Sequence, residues 1–382
     1  MTATRTDPYD IFSLQAQRNP ALYDRMRSED PVHAAIHPHT GQVFWFLTRY
    51  DDCLSFLKDK RFGKEFRKQQ PAHDATKWIE SDTEDIINQH MLNLDDPAHA
   101  RLKSIVQLVF TPARINNLRP HLQAIADQLF DAIDLDVAEG DEYNLTETYI
   151  NQFPLLAIAT ILGVPAEDYP NLYLWTQQML LSDEEIVHQT ITQFSDYLNQ
   201  QIDLRRTNAS NFDDLLSDLI FSEGIKDQLS RPELLAMVFL LITAGYETMV
   251  NFTSNSIMSL FDNRDQLRLL QENAGDSAML KTAIEEMLRF NGPSHRTLPS
   301  WAFEDVEIRG KVIHRGDIVH AVLFAANRDP LIFDDPHTFN IQRQPNKHIG
   351  FSYGIHHCLG AMLARLEGEI VIATLLRRVP DL

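Results

Sequence analysis

The sequence predicts a mainly α-helical fold with small β-sheets. The longest patterned segment runs from Ser230 to Phe261 and begins with a capping box, in which Ser230 and Glu233 satisfy each other's backbone N–H groups. At about 1.5 Å per residue this segment would form a helix of roughly 45–50 Å, long enough to cross a whole domain. A second helix-favouring segment follows Cys358, and strand-like patterns are few and short.

Other elements are predicted by local patterns. Apolar residues at helical spacing from Ile115 to Val137 predict a further helix, because Thr111-Pro112 in front of them suits an N-cap and a first-turn proline. Strand patterns lie at 42–48, at 306–313 with a hairpin turn at Arg309-Gly310, and at 317–322. Together these elements predict a helical protein with a small sheet.

The composition is that of a folded chain with an acidic excess. Of 382 residues, 44% are hydrophobic and 23% are charged, and no repeat or glycine-serine linker divides the chain. We therefore expect a single domain over residues 1–382. The formal net charge of −20 argues against nucleic-acid binding, which needs basic patches to displace counterions. Its simplest consequence is solubility.

The cysteine content and the apolar segments predict where the protein works. Cys53 and Cys358 are the only two cysteines, which favours a reducing cytoplasm. The first residues are polar and lack the apolar region of a signal peptide. The most apolar stretch, Leu234 to Gly245, is too short for the roughly 20 residues that span a bilayer. We expect a cytoplasmic protein without a membrane partner.

The stretch GFSYGIHHCLGA, residues 350–361, places a cysteine at the start of a predicted helix, where N–H groups stabilise a thiolate. A zinc site is disfavoured because His356, His357 and Cys358 are adjacent and no C-x-x-C partner exists. A Cys–His nucleophile fits, and so does a thiolate ligand of haem iron, for which glycines let a flat macrocycle approach the backbone. Taken alone, such a cysteine is more often structural than catalytic.

The pattern F-x-x-G-x-H-x-C-x-G, from Phe351 to Gly360, resembles the haem-ligand loop of the cytochrome P-450 family of haem-thiolate monooxygenases. The resemblance covers the chain from about residue 90 to its end and, more loosely, the N-terminal part. It implies the family's fold, with haem b (iron protoporphyrin IX) between a long central helix and the cysteine loop. It also makes Cys358 the metal ligand, with Phe351 packed beside it and N–H groups near Gly360 bonded to its sulfur.

The sequence AGYET, residues 244–248, lies midway along the long apolar helix and resembles the family's oxygen-activation motif. The resemblance makes Thr248 the alcohol that delivers protons and Glu247 its acidic partner, and it places Ala244 against the cofactor. The residues by themselves allow a second explanation equally well: a threonine bonded back to its own helix beside a solvated glutamate.

The sequence AIEEMLRF, residues 283–290, places two acids near one arginine. Glu286 lies three residues and Glu285 four residues before Arg289, so spacing alone does not select the partner. Most such pairs are exposed and contribute little to stability. The segment resembles the family's E-x-x-R motif, which selects Glu286 and makes Arg343, in the meander-like region that follows, the third member of a structural cluster.

A haem carries two propionates, and four residues match the family positions that contact them. His99 and Lys103 lie one helical turn apart; relatives usually have arginine at the second place, whereas lysine offers only a point charge. Arg296 and His356 match the other two positions. Each of the four, taken alone, is more often a solvated surface residue.

The substrate is expected to be a mostly apolar small molecule because the candidate pocket residues are mostly apolar. These candidates are Leu240, Leu241 and Ala244 on the long helix, His295 after the E-x-x-R helix, and Met91, with Trp78, in a lid at 70–92. Relatives continue beyond the final RRVPDL into a hairpin that reaches the pocket. We therefore expect either a truncated chain or a more open pocket.

The resemblance implies a monooxygenase that hydroxylates or epoxidises its substrate with dioxygen and two electrons. No flavin- or iron–sulfur-binding motif is visible, so a separate ferredoxin and ferredoxin reductase would supply the electrons. Two alternatives are a hydrogen-peroxide-driven peroxygenase, against which the Glu247–Thr248 pair argues, and a non-enzymatic haem sensor or carrier, for which no output domain is present. The basic face expected to bind an acidic ferredoxin consists of Arg101, Arg114, Lys347 and Arg365.

Overall fold

The structure, a computed structural model, describes residues 7–17, 19–65, 89–133, 144–179, 183–208, 212, 214–221, 229–380 and 382. These residues form two compact units. The first unit contains the described residues up to 65 together with Glu285–Cys358. The second unit contains the described residues from 89 to Ile284 and from Leu359 onwards.

Helices dominate the described part of the chain, which confirms the predicted fold class. The helices are α1 (Leu14–Gln17), α2 (Pro20–Glu29), α3 (Tyr50–Phe56), α4 (Ala98–Val109), α5 (Pro112–Asn117), α6 (Arg119–Asp131), α7 (Gln152–Leu162), α8 (Tyr169–Met179), α9 (Glu184–Thr207), α10 (Leu215–Phe221), α11 (Arg231–Asp262), α12 (Arg264–Glu272), α13 (Ser277–Asn291), α14 (Leu323–Ala326) and α15 (Ala361–Arg378). The strands are β1 (Val32–Ile36), β2 (Val43–Leu47), β3 (Phe62–Gly63), β4 (Ser300–Ala302), β5 (Val306–Ile308), β6 (Lys311–Ile313) and β7 (Ile318–Ala321).

The first unit is built on a five-stranded sheet with the order β1-β2-β7-β4-β3. Strand β2 pairs antiparallel with β1 and parallel with β7, and its residues Phe46 and Leu47 are fully buried. Strands β5 and β6 form a separate hairpin. Its turn residues Arg309 and Gly310 have φ angles of 51° and 76°, as a two-residue hairpin turn with positive φ at both positions requires. The three predicted strand regions are confirmed.

The second unit is organised around α11, which packs against α7 and α15. The predicted capping box is confirmed: the Ser230 N–H donates to Glu233 Oε2 (2.8 Å) and the Glu233 N–H donates to Ser230 Oγ (3.4 Å). By length and apolar composition α11 would be able to cross a membrane, and no other helix among the described ranges passes that test. Half of its most apolar stretch is buried in the protein, as in the core helices of folded domains.

The single helix predicted for Ile115 to Val137 is wrong in its bounds. The chain forms two helices instead, α5 and α6, which meet at Leu118. The physical reason is Pro120, which has no N–H group and clashes with the carbonyl of the residue four positions earlier, so it fits only the first turn of a new helix. Thr111 is the N-cap of α5, as predicted. Residues 134–143 lie outside the described residues.

Helix α15 buries a carboxyl group. Glu367 lies four residues after Leu363 and four before Val371, and all three side chains face the core of the second unit. Glu367 is only 5% exposed, and burial raises the pKa of its carboxyl group to about 8. The group is therefore protonated and uncharged at neutral pH.

Candidate active site

The loop that carries Cys358 closes on itself through backbone hydrogen bonds. The Cys358 N–H donates to the Phe351 carbonyl (3.0 Å), and the His357 N–H donates to the Gly354 carbonyl (3.2 Å). Between them, Gly354–His356 form one short 3₁₀ turn. The Cys358 side chain is exposed, and α15 begins three residues later at Ala361. The loop therefore presents one thiol at the entry to a helix.

A close contact with the end of α3 fixes the shape of this loop. Gly354 has a φ angle of +75°, which L side chains rarely adopt, and a Cβ atom at this position would overlap the carbonyl oxygen of Leu57. Both the backbone angle and the contact require glycine. The neighbouring Tyr353 ring lies under the ammonium group of Lys58, at 4.6 Å from the ring centroid.

Two further segments hold the residues in front of the loop. The Ile349 N–H donates to Asn327 Oδ1 (2.8 Å), and the Tyr50 hydroxyl donates to the Lys347 carbonyl (2.6 Å). The sequence reasoning missed these anchors. They act on backbone atoms from distant parts of the chain, so no local motif signals them.

His348 adds a third anchor. Its Nε2 lies 3.0 Å from Glu285 Oε2, and its Nδ1 lies 3.1 Å from the N–H of Gly350. Because a backbone N–H donates and a carboxylate accepts, Nδ1 is the acceptor and Nε2 carries the proton. The histidine thus links the helix α13 to the first residue of the cysteine loop.

A buried ion cluster of Glu286, Arg289 and Arg343 lies beside these anchors. The side chains of Glu286 and Arg289 are 0% exposed, and Arg289 Nε and Nη2 donate to the two Glu286 oxygens at 2.7 and 2.8 Å. Arg343 Nε donates to Glu286 Oε1 at 3.2 Å. Arg289 therefore pairs with Glu286, and Glu285 binds His348 instead. The pair is buried, unlike the exposed pairs that this spacing usually forms.

The buried charges of Arg289 and Glu286 are fully hydrogen-bonded. Arg289 also donates to the carbonyl oxygens of Asn327 (3.0 Å), Pro336 (2.8 Å) and Thr338 (3.1 Å), so all five of its N–H donors are used. Glu286 also accepts from the Asn340 N–H (2.9 Å) and from Asn346 Nδ2 (3.1 Å). Asn327 joins this cluster to the cysteine loop, because its carbonyl binds Arg289 while its side chain binds Ile349.

The middle of α11 contains the predicted acid–alcohol pair. The Thr248 hydroxyl donates to the Ala244 carbonyl (2.6 Å), and the Glu247 side chain is exposed. The helix continues unbroken through this region. The structure therefore shows a threonine bonded back to its own helix beside an exposed glutamate.

Helix α11 nevertheless has one open face in its apolar middle. Leu241, Ala244 and Thr248 lie on the same face and are exposed or half-buried, whereas Ile242 and Tyr246 are buried in the second unit. A small side chain such as Ala244 at the centre of an open face leaves room for a flat group against the helix.

The four predicted propionate ligands are divided between the two units. In the second unit, His99 is buried; burial lowers the pKa of its imidazole, and the nearby charge of Lys103 acts in the same direction. The structure thus brings His99 and Lys103 together on α4. In the first unit, His356 lies in the 3₁₀ turn, and the Arg296 guanidinium lies over the Phe46 ring at 5.7 Å.

The predicted substrate contacts differ in exposure. Leu240 is buried, Leu241 is half-buried and Ala244 is exposed. The Met91 N–H lies 3.5 Å from Met237 Sδ on α11, and the His295 ring stacks on Phe324 at 4.5 Å. Residues 70–88 of the predicted lid, which include Trp78, lie outside the described residues.

The predicted basic face is partly neutralised within the second unit. Arg101 pairs with Glu233, and Arg114 pairs with Asp218. Arg365 Nη1 donates to the Ala361 carbonyl at 3.4 Å. In the first unit, the Lys347 side chain is exposed. The charges of the first two arginines are therefore largely balanced by carboxylates.

The residues present fit a haem better than a metal held by side chains alone. Within the part of the chain that the structure describes, no three His, Cys, Asp or Glu side chains lie together as a metal site would require. A single exposed thiol on a glycine-shaped loop suits a macrocycle whose metal needs one protein ligand. Such a loop is typical of haem-thiolate proteins.

Comparisons with known proteins identify the family. The cytochrome P450 family model matches residues 155–379. The chain is 36% identical over 367 residues to the polyketide biosynthesis cytochrome P450 PksS of Bacillus subtilis (95% of this chain, 88% of that protein) and 38% identical over 362 residues to the cytochrome P450 monooxygenase PikC of Streptomyces venezuelae (94% and 83%). The myxobacterial cytochrome P450 CYP267B1 has 39% sequence identity to this chain. Its crystal structure in complex with myristic acid matches this structure with a TM-score of 0.88, covering 98% of this chain and 92% of that chain. The chain belongs to the cytochrome P450 family and is a P450 monooxygenase.

Proposed function

We propose that this monooxygenase hydroxylates or epoxidises a long, mostly apolar acyl or polyketide chain, with haem b bound through the Cys358 thiolate. The main support for this proposal is the conformation of the cysteine loop. Backbone hydrogen bonds close this loop and hold it in place, and they leave the Cys358 side chain exposed just before α15. The names of similar proteins support the substrate class: PksS acts in polyketide biosynthesis, and CYP267B1 was crystallised with myristic acid.

The haem, when bound, supplies the activation of dioxygen, and the protein supplies its ligand, protons and substrate orientation. The first N–H groups of α15 have no partner within the helix, so they favour the thiolate form of Cys358 and bond its sulfur. Phe351 would shield that sulfur from water. His99, Lys103 and His356 are the proposed propionate contacts, because their donors suit carboxylates.

The test of this function is the absorption difference spectrum of the dithionite-reduced protein with and without carbon monoxide. We expect the strongly red-shifted band that a thiolate ligand produces, and we expect Cys358→Ala to lose it. Cys53→Ala is the matched control. The Cys53 side chain is buried and its thiol donates to the Leu47 carbonyl (3.2 Å), so we do not expect it to bind iron. A red-shifted band that survives in Cys358→Ala would contradict the assignment.

We further propose that Thr248 holds a water on the proton path to dioxygen. Its hydroxyl donates to the Ala244 carbonyl, so both oxygen lone pairs remain able to accept a hydrogen bond from that water. Glu247, the exposed residue just before Thr248, would be the acid that supplies further protons to this path. General acid catalysis of this kind contributes about 10²–10⁴-fold to rate.

Thr248→Ala is therefore expected to lower the product formed per electron consumed by about 10-fold or more. The measurement is the ratio of product to NADH oxidised with a ferredoxin and its reductase. Thr243→Ala is the matched control, because Thr243 lies on the same helix and donates to the Phe239 carbonyl in the same way (2.9 Å). Equal ratios in the two variants would rule out a proton role for Thr248.

The electron donor is proposed to be a separate ferredoxin that binds beside the cysteine loop. Two cations of the first unit lie near this loop: Lys58, which lies over the Tyr353 ring, and the exposed Lys347. They would attract an acidic partner in a protein whose overall charge is −20. Charge pairs of this kind steer association and weaken with salt.

A further inference from the structure

One face of α11 changes from covered to open along its length. The residues of this face are spaced by four, three and four positions: Met237, Leu241, Ala244 and Thr248. Met237 is fully buried, Leu241 is half-buried and Ala244 is exposed. The N-terminal end of this face is therefore covered by other parts of the second unit, while its middle is open.

The segment just before α4 lies against the covered end. Met91–Asn93 form a 3₁₀ turn that packs against α4, and the Met91 N–H lies 3.5 Å from Met237 Sδ. The Asn93 N–H donates to the His90 carbonyl (3.2 Å), so His90 is the residue that begins this turn. The imidazole of His90 therefore belongs to the segment that bounds the open face of α11 at its N-terminal side.

His90 has an unpaired ring nitrogen in surroundings without charge. Its Nδ1 is buried and has no hydrogen-bond partner among the described residues, although the residue as a whole is half-buried. Burial lowers the pKa of the imidazole to about 4, and the backbone of His90 itself opposes this effect, whereas no charged side chain of the described ranges contributes to it. The ring is therefore neutral at physiological pH and carries one N–H donor and one acceptor nitrogen.

These properties indicate a ligand of a particular chemical class. Leaving a buried donor or acceptor unpaired costs about 1–3 kcal/mol, which a polar group of a ligand would recover by bonding to it. A carboxylate or an ammonium group would be costly to bury here, because no counter-charge lies beside His90. A hydroxyl or carbonyl group carries no charge and pairs well with a neutral imidazole.

We propose that His90 binds a hydroxyl or carbonyl group of the substrate, whose hydrocarbon part runs past Leu241 toward Ala244. Met237 and Ala244 are seven residues apart, which corresponds to about 10 Å along the helix axis. By fixing the polar group at the covered end of this face, His90 determines which carbon of the chain reaches Ala244. The inference rests on the proposed function and adds a neutral hydrogen-bonding group to its substrate, with His90 as a specificity-determining residue.

The experiment compares dodecanol with dodecyl fluoride, which differ only in the group that His90 would bind, by equilibrium dialysis of labelled ligand against the purified holoenzyme. In His90→Leu we expect the preference for the alcohol, measured as the ratio of the two dissociation constants, to fall about 5-fold, the scale of one hydrogen bond. His90→Gln keeps a donor and an acceptor and should retain part of the preference. His121→Leu changes an exposed histidine of α6 in the same unit and should bind like wild type.

Dodecanoic acid tests the charge of the bound group. At neutral pH its affinity should be the same for wild type and His90→Leu, because its carboxylate would lack a counter-charge at His90. A loss of acid binding in His90→Leu as large as the loss of alcohol binding would mean that His90 binds an anion, which would overturn the proposal.

The products formed from dodecanol and tetradecanol with a ferredoxin and its reductase provide a second readout. The wild type should oxidise both alcohols at the same number of carbon atoms from the hydroxyl group, and His90→Leu should lose this constancy. Oxidation at a constant distance from the methyl end in the wild type would contradict binding of the hydroxyl group by His90.

Haem content and the carbon monoxide spectrum are measured on the same samples. A loss of haem in His90→Leu and His90→Gln with an unchanged preference for the alcohol would assign His90 to the cofactor and overturn the proposal. The same preference in wild type and His90→Leu, or no binding of either ligand by the wild type, would overturn it too. A wild-type protein without the red-shifted band would refute the proposed function, whereas dialysis would still report the preference for the alcohol.

Discussion

Replacing Glu286 with alanine is expected to leave little folded protein. The substitution would leave the fully buried Arg289 guanidinium with two unsatisfied N–H donors and no counter-charge, and it would remove the acceptor for Arg343. Breaking a buried, hydrogen-bonded ion pair from one side costs about 3–5 kcal/mol, and the orphaned donors of Asn340 and Asn346 add to that cost. The loss approaches the total stability of about 5–15 kcal/mol of a typical domain.

The measurement is the yield of soluble protein and the free energy of unfolding in urea, followed by circular dichroism. Glu285→Gln is the matched control, because Glu285 is the preceding residue of the same helix and its partly exposed carboxylate accepts a hydrogen bond from His348. We expect this control to lose about 1 kcal/mol, the value of one hydrogen bond. Similar unfolding free energies for Glu286→Ala and the control would show that the cluster does not hold the fold.

The second large effect is a pH dependence caused by Glu367. Its pKa is about 8 in the folded protein and has the ordinary value of 4.5 in the unfolded chain. Between these two values the folded state keeps a proton that the unfolded state has lost, so stability falls as pH rises. The slope is about 1.4 kcal/mol per pH unit, which amounts to about 5 kcal/mol between pH 4.5 and pH 8 and then levels off.

Glu367→Gln is expected to remove this slope, because glutamine has a similar shape and never ionises. The free energy of unfolding is measured in urea from pH 5 to pH 9 for both proteins. The stability of the variant relative to the wild type should rise up to about pH 8 and stay constant above it. Thr374→Val changes a buried residue of the same helix face without removing an ionisable group, so its difference from wild type should not vary with pH. A constant difference for Glu367→Gln would mean that its carboxyl group ionises normally.

The elements that sequence reasoning predicted correctly are those whose signals are local. Helix α11 has its capping box within four residues, and the β5–β6 hairpin has its turn pair at Arg309-Gly310. The failure at α5 and α6 was also local, because Pro120 alone interrupts an otherwise regular apolar pattern. Strands β3 and β4 were not predictable, because two or three residues are too few to show alternation. Their pairing is also not local: β4 pairs with β7 and with β3, which lies far earlier in the chain.

For the candidate site, the sequence indicated which residues are neighbours but not how deeply they are buried. Spacing showed that Glu286 and Arg289 are neighbours on one helix, but burial depends on the segments that cover them, which come from residues 327–346. The sequence analysis did not identify Glu367 as a buried carboxyl group. Its position between Leu363 and Val371 on the apolar face of α15 indicates that it is buried. The stacking of the His320 ring on Phe46 could not be anticipated either, because it depends on the register that pairs these two residues across β2 and β7.

The contacts of Arg289 have a consequence for how this region tolerates sequence change. Outside Glu286, the arginine binds the carbonyl oxygens of Asn327, Pro336 and Thr338, atoms that every amino acid possesses. The side chains at 336 and 338 are therefore free to diverge between relatives as long as the backbone path is kept. The evolutionary constraint then falls on few positions: Glu286 and Arg289 of α13, and Asn327, whose side chain is needed for its bond to Ile349. A short motif can persist in this way while the segments around it accumulate substitutions.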